Sequence, residues 1–403
     1  MKLMEELEAR GLLAQTSGYN EILDLFENEK VTVYTGFDPT GDSFHVGHLV
    51  QLLTLLRLQR FGHRIVCLFG GGTAMIGDPS AKNEMRPILT KETINKNIEK
   101  FKMQAAKFLD ISQCVILNNA EWLCGLDYID FLREIGIHFS VNRMLASECY
   151  KNRLNSGLTF FELNYMLMQS YDFLILNKNY DCQVQIGGSD QWSNMLAGVE
   201  LIRKKNKNKT YAISTNLLTT SDGRKMGKTE KGAIWLDSQK TSIYDFYQYF
   251  RNIDDGDVIK CFKMLTMISL EDIENYECDI EKNTNELKEL MAFEITSLVH
   301  GCEEASKALD VSRKIFGKKD YEQVPQVNIK YDFFKNDEIK ITDLIRLSGL
   351  SKSNSESLRL IKQGGITIND LVITDYGKCF KEEDLKNGIV IKKGKKRIIK
   401  CVI

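Results

Sequence analysis

Apolar and polar positions along the first half of the chain follow two alternating periods. Short runs rich in β-branched and apolar residues, Val31–Gly36, Arg64–Phe69 and Val115–Leu117, read as buried strands. Between them, Leu49–Phe61 and Lys91–Leu109 repeat apolar residues every three or four positions, the period of a helix with one buried face. Strand–helix alternation of this kind predicts an α/β fold, a parallel sheet with helices on both faces. A mostly helical stretch, about 121–180, interrupts the pattern, which resumes with a strand at Cys182–Ile186 and a helix at Ser193–Lys205. From Ser242 to Ile315 the period is helical throughout. A junction near Lys318–Asp337 follows, with Gly317, Pro325 and several polar residues. The tail predicts two short helices, Ile341–Ser348 and Ser353–Gln363, then Gly364-Gly365 and strands at Ile366–Ile368 and Gly388–Lys392.

The 403 residues exceed what one compact core accommodates, so several domains are expected. No apolar run approaches the roughly 18 residues of a membrane span. The N-terminus, Met1-Lys2-Leu3-Met4-Glu5-Glu6, is acidic and amphipathic, unlike a signal or transit peptide. Ten cysteines without a Cys-x-x-Cys pair argue against a zinc site and for free thiols in a reducing cytosol. The net charge of −1 conceals an asymmetry. Residues 339–403 carry 14 Lys and Arg against 7 Asp and Glu, and the rest carries 40 against 48. A basic tail on an acidic body predicts a polyanionic partner for the tail, although solvated lysines alone would give the same count.

The chemistry concentrates in a few places. His45-Val46-Gly47-His48 lies between a strand and a helix, behind Gly36-Phe37-Asp38-Pro39-Thr40. A helix N-terminus there offers unpaired N–H groups and a dipole that both favour phosphate. Gly47 leaves the backbone bare for a flat base. Farther on, Lys225-Met226-Gly227-Lys228-Thr229 follows the turn Ser221-Asp222-Gly223, two cations on a loop with glycines that let it close. Lys82 and Arg86, after Gly77-Asp78-Pro79-Ser80, are further candidate cations. Tyr165, Gln169 and Asp172 fall at i, i+4 and i+7, a polar stripe on an otherwise apolar helix. That stripe faces either water or a polar ligand. Gln185-Ile186-Gly187-Gly188-Ser189-Asp190-Gln191 ends a strand, where ligands bind in open α/β sheets. The basic run Arg203–Lys209 reads as a solvated loop or a secondary RNA contact.

These motifs, in this order, resemble class I aminoacyl-tRNA synthetases. His45–His48 is similar to the His-Ile-Gly-His signature, and Lys225–Thr229 to Lys-Met-Ser-Lys-Ser, with Val46, Gly227 and Thr229 as departures. Gly36–Thr40 resembles the tyrosyl branch in its bacterial form. Ser351-Lys352-Ser353, Arg359, Ile361 and Gly364-Gly365-Ile366 resemble the αL RNA-binding fold.

The resemblance implies a Rossmann-like parallel sheet with a helical insertion, then a helical domain and a small C-terminal α+β RNA-binding domain. The expected boundaries are 1–218 for the catalytic domain and 219–241 for the signature-loop linker. A helical anticodon-region domain (242–317), a linker (318–338) and the αL-type domain (339–403) would follow. It implies a tyrosine–tRNA ligase using ATP with Mg²⁺ and no tightly held metal, a cytoplasmic homodimer paired through the insertion, with tRNA as partner. By the same resemblance Thr40, His45, His48, Lys82, Arg86, Lys225, Lys228 and Thr229 serve catalysis. Gly36, Asp38, Gly47, Gly188, Asp190 and Lys228 contact ATP. Tyr165, Gln169 and Asp78 take the substrate ammonium, Tyr34 and Asp172 its phenol, and Asn119 and Gln191 other substrate groups. The tryptophanyl branch shares both signatures, and Asp172 alone would suit an indole N–H. Tyr34 favours a phenol. A synthetase-derived RNA-binding or splicing protein is the other reading, and the intact lysines and histidines count against it.

Overall fold

The computed structural model describes residues 2–80, 84–229, 232–315, 324–335, 337–394 and 397–403. The chain forms two compact units, Met1–Cys302 and Glu303–Ile403.

The first unit is built on a six-stranded sheet. In chain order its strands are β1 (Leu13–Thr16), β2 (Thr32–Phe37), β3 (Arg64–Phe69), β4 (Cys114–Asn118), β5 (Cys182–Gly188) and β6 (Tyr211–Thr215). They lie side by side as β1-β6-β5-β2-β3-β4, all parallel except β1, which runs antiparallel to β6. Strand β3 is buried at every position after Arg64 because helices cover both faces, which is why it reads as an apolar run. The chain winds outward from β2 in one direction to β3 and β4, and in the other to β5 and β6. This reversal leaves a crevice at the carboxyl ends of β2 and β5. The predicted strands and helices of this half are found within a few residues of their expected ends.

Two strands were not legible in the pattern. In β6, Ser214 and Thr215 are buried, their hydroxyls bonded to Gln15 O and Gly187 O, so a core strand looks polar. Strand β1 is four residues long and mostly half-buried, too short to show a period.

Three helices beyond the second signature, Ile243–Arg251, Val258–Leu265 and Leu270–His300, belong to the same unit as the sheet. Two buried arginines help to fix them there. Arg10 donates to Lys263 O and Ile268 O, and Arg57, near the end of helix Val46–Arg60, donates to Thr266 O. Glu6 sits beside both guanidinium groups. The longest helix is kinked at Asn283, whose φ/ψ of −123°/24° are not helical.

In the second unit, helices Ile341–Leu347 and Asn354–Lys362 pack on a five-stranded sheet through Ile341, Leu344, Ile345, Ile361, Ile366 and Ile391. The stretch expected to be a linker differs from that expectation. Residues 316–323 lie outside those described, but Gln326–Asn328 is a strand, paired in parallel with Arg397–Val402. Three residues are too few to reveal a strand without its partner.

Candidate active site

A cavity of about 390 Å³ occupies the crevice. One wall is the first signature. His45 caps helix Val46–Arg60 from an extended conformation, and its Nδ1 accepts the Gly47 N–H at 3.0 Å. His48 Nδ1 accepts the His45 N–H at 3.1 Å, and the two rings stand 4.0 Å apart. Both imidazoles, when neutral, therefore carry their proton on Nε2. Burial and the neighbouring charges of His45 and Arg86 hold His48 well below its usual pKa, so it is neutral at pH 7. Gly47 has a reason that the sequence did not reveal. A Cβ there would lie 2.8 Å from His45 Cε1, so only glycine lets that ring fold back over the helix start.

The floor is a polar network on β2, β3, β4 and helix Tyr165–Tyr180. The Tyr165 hydroxyl donates to Asp38 Oδ2 at 2.8 Å, and the Thr73 hydroxyl to Asp38 Oδ1 at 2.7 Å. Asn119 donates to Thr73 Oγ1 and Asp172 Oδ2 and accepts the Gly72 N–H, which commits both of its own N–H donors inside the protein. Asp172 also accepts from Trp122 Nε1 at 2.7 Å. Gln191 donates to Asp78 Oδ2 at 2.6 Å, while Arg86 Nε donates to Asp78 O. Trp122 and the glycines 70–72 were not singled out from the sequence. A Cβ on Gly70 would lie 2.0 Å from Asp38 Oδ1, so the close backbone approach was the signal to follow.

Three buried polar atoms around this floor have no hydrogen-bond partner among the described residues: Tyr34 Oη, Gln169 Oε1 and Gln185 Oε1. Tyr34 and Gln185 are neighbours across the β2–β5 register, and all three residues line the cavity. Buried polar groups rarely go unpaired, and each costs roughly 1–3 kcal/mol when it does. Such a set is the inner surface of a binding site for something polar. Gln185 opens the strand-end cluster read from the sequence, which by itself assigns it no role.

The carboxyls tell the same story. Burial pushes Asp38 up to about 6 and Asp172 up to about 7, against the hydrogen bonds from Thr73 and Tyr165 and from Asn119 and Trp122 that favour their ionised forms. Burial also raises Asp190, partly offset by Lys225, whose Nζ is 3.9 Å from Asp190 Oδ2. A cluster of carboxyls so disposed favours a cationic ligand. Between about pH 4, where the unfolded chain ionises, and about 7, the native protein holds more protons than the unfolded chain. Each raised carboxyl therefore lowers stability as pH rises through that window. Asp172→Asn is expected to flatten the fall of Tm between pH 5 and 7 relative to the wild type, as calorimetry at a series of pH values would show.

The second signature closes the mouth. Gly223 and Gly227 take φ of 83° and 82°, conformations that favour glycine. A Cβ on Gly227 would lie 2.9 Å from Val46 Cβ, which accounts for glycine where the resembling signature has serine. The segment after the loop pairs back onto the first signature, with Val46 N–H donating to Ile234 O and Leu236 N–H to Phe44 O. Lys228–Thr229 pairs with Gly232–Ala233, but the side chains of Lys228 and Thr229, and the whole of Lys82, lie outside the described residues. Thr40, Gly36, Gly188 and Arg86 line the cavity, Arg86 from an irregular segment that precedes helix Lys91–Ala105.

A doubly wound sheet with two such signatures at its crevice defines a class I tRNA synthetase. The family model for class I tRNA synthetases (W and Y) matches residues 27–317, and that for the tyrosine–tRNA ligase SYY-like C-terminal domain matches residues 317–400. The chain is 49% identical to tyrosine–tRNA ligase 1 of Clostridium acetobutylicum, over 100% of this chain and 99% of that protein. It is 50% identical to the tyrosine–tRNA ligase of Caldanaerobacter subterraneus, over the whole of both. Its fold matches a C-terminally truncated mitochondrial tyrosyl-tRNA synthetase of Aspergillus nidulans with a TM-score of 0.70 at 29% identity, covering 78% of this chain and 94% of that one. The chain belongs to the tyrosine–tRNA ligases.

Proposed function

We propose that this protein activates tyrosine with ATP to tyrosyl-adenylate and transfers tyrosine to the terminal ribose of its tRNA. The observation that carries the reading is the set of unpartnered buried atoms, Tyr34 Oη, Gln169 Oε1 and Gln185 Oε1, among carboxyls raised by burial. An amino acid with a phenolic side chain suits both features. Its ammonium meets Asp78, Tyr165 and Gln169, and its hydroxyl meets Tyr34 and Asp172. Asn119, with its donors committed to Thr73 and Asp172, holds Asp172 in place. Gln191 does the same for Asp78.

In the first step a substrate carboxylate oxygen bonds to the α-phosphorus, and the bond to the bridging oxygen breaks, expelling pyrophosphate. The nucleophile arrives ionised, so the site has to supply position and countercharge rather than a base. The helix start at Val46 and the Nε2–H of neutral His48 offer donors without net charge, and His45 adds a second Nε2–H beside them. Thr40, Arg86 and Lys225, which line the cavity, take the phosphates, and the resemblance assigns Lys82, Lys228 and Thr229 to the same task. Gly36, Asp38, Gly47, Gly188 and Asp190 receive the nucleoside. Magnesium enters as part of the ATP substrate. Tyrosine-dependent exchange of pyrophosphate into ATP tests the reading, and a protein without that exchange would refute it. In the same assay Lys225→Ala is expected to lower kcat at least tenfold with tyrosine affinity nearly unchanged, because its contact strengthens as charge builds on the leaving group. Weakened tyrosine binding would instead place Lys225 elsewhere.

We also assign the protein to the cytosol as a homodimer with tRNA. Ten cysteines, with no disulfide between them, suit a reducing compartment. Exposed apolar side chains gather on the helical insertion, Ile137 at 72% and Phe160 at 66% with Tyr128, Ile129 and Val141, and a second copy covering them would give a solution mass of two chains.

A further inference from the structure

The second signature is held from outside the nucleotide fold. Helix Ile243–Arg251 places the Tyr249 hydroxyl 2.7 Å from the Gly227 nitrogen, where it accepts that N–H. Gly227 also abuts Val46, so this point of the loop is held by both the first signature and Tyr249. The next helix, Val258–Leu265, adds two more contacts. Lys260 Nζ donates to Thr219 O at 2.7 Å and to Thr219 Oγ1 at 2.9 Å, and Cys261 Sγ lies 3.6 Å from Met226 Sδ. Within the loop, Met226 N–H donates to Leu218 O and Ile234 N–H to Gly227 O, so both arms of the loop leave from the pinned residues.

Lys225 is two residues before Gly227 and Lys228 is one after it. Whatever fixes the Gly227 peptide therefore fixes the direction in which both cations leave the backbone. Gly227 has no side chain of its own to pack. Its φ of 82° also places it where glycine moves freely, so the pin has to come from elsewhere.

We propose that Tyr249 is a positioning residue for amino-acid activation: its hydroxyl, by accepting the Gly227 N–H, holds the loop so that Lys225 and Lys228 meet the departing pyrophosphate. The inference rests on the activity proposed above. Tyr249 is not among the residues that line the cavity, so its loss should act on the chemical step and leave the amino-acid pocket alone. Lys260 acts with it from the other arm.

The test is pyrophosphate exchange, equilibrium tyrosine binding and timed trypsin cleavage on full-length protein. Removing one neutral hydrogen bond and leaving an N–H unsatisfied supports an expected fall of about tenfold in kcat for Tyr249→Phe. Tyrosine Kd should stay within about twofold. Cleavage after Arg224 and Lys225 should quicken, since both are exposed and the loop loses its pin. Lys260→Met, which keeps the chain length but not the donor, should move kcat and cleavage in the same direction by a smaller factor. It serves as the second variant if Tyr249→Phe folds poorly. Unchanged kcat in both variants would overturn the proposal. So would a parallel loss of tyrosine affinity and kcat, the mark of a merely structural role. Absence of exchange in the wild type would refute the activity itself, a different outcome.

Discussion

Pyrophosphate exchange by the purified protein is expected to favour tyrosine over phenylalanine by about 10⁴–10⁵ in kcat/KM. That magnitude is carried over from a tyrosine-activating synthetase, in which a site built to hydrogen-bond the phenol rejects the analogue without it. The physical reason is visible in the site. Tyr34 Oη is buried without a partner, and Asp172, fully enclosed by Asn119 and Trp122, is a further acceptor beside it. A phenol can bond to both, whereas a phenyl ring leaves Tyr34 Oη desolvated and unpaired and offers Asp172 nothing. Tyr34→Phe should therefore narrow the ratio mainly by slowing tyrosine. Asp172→Ala should abolish measurable activation, because it also strips Asn119 and Trp122 of their acceptor. Equal kcat/KM for the two amino acids would remove the phenol assignment.

A chain ending at Ile315 should keep pyrophosphate exchange and lose nearly all tRNA charging. The cleft lies wholly within Met1–Cys302, a compact unit in itself, and a C-terminally truncated relative has been crystallised with the same fold. Residues 339–403 carry the positive balance, 14 basic against 7 acidic residues, and the remainder is net acidic. Phosphate contacts supply much of the affinity for RNA and fade with added salt. The intact protein should bind tRNA more tightly and lose affinity more steeply with salt than the shortened one. Charging by the shortened chain at the intact rate in physiological salt would show that the tail is no tRNA-binding module.

Much of the catalytic sheet was legible because β2, β3 and β5 are buried on both faces and the helices between them show one apolar face. What escaped were elements whose burial is made by polar residues or by partners distant in sequence. Ser214 and Thr215 in β6 satisfy their hydroxyls on neighbouring backbone, and Gln326–Asn328 exists as a strand only beside Arg397–Val402. In the site, the signatures announced themselves by rare residues at fixed spacing. Trp122 did not, since it stands in no distinctive local pattern, and Gln185, although it opens the strand-end cluster, had nothing local to give it a role. One is recognised by its bond to Asp172 and the other by lying next to Tyr34 in the sheet.

The sequence by itself determined the fold class, the order of the two signatures and the charge contrast between body and tail. Each of these is written in residue type and local period, which act within a few residues of chain. Only the tertiary structure decided that Asp38 joins Tyr165 across 127 positions, that Gln191 holds Asp78, and that Tyr249 reaches back to Gly227. It also decided that Asp38 and Asp172 are pushed up to about 6 and about 7. Desolvation and hydrogen bonding depend on what surrounds a group in space, and no spacing along the chain encodes that before the chain has folded.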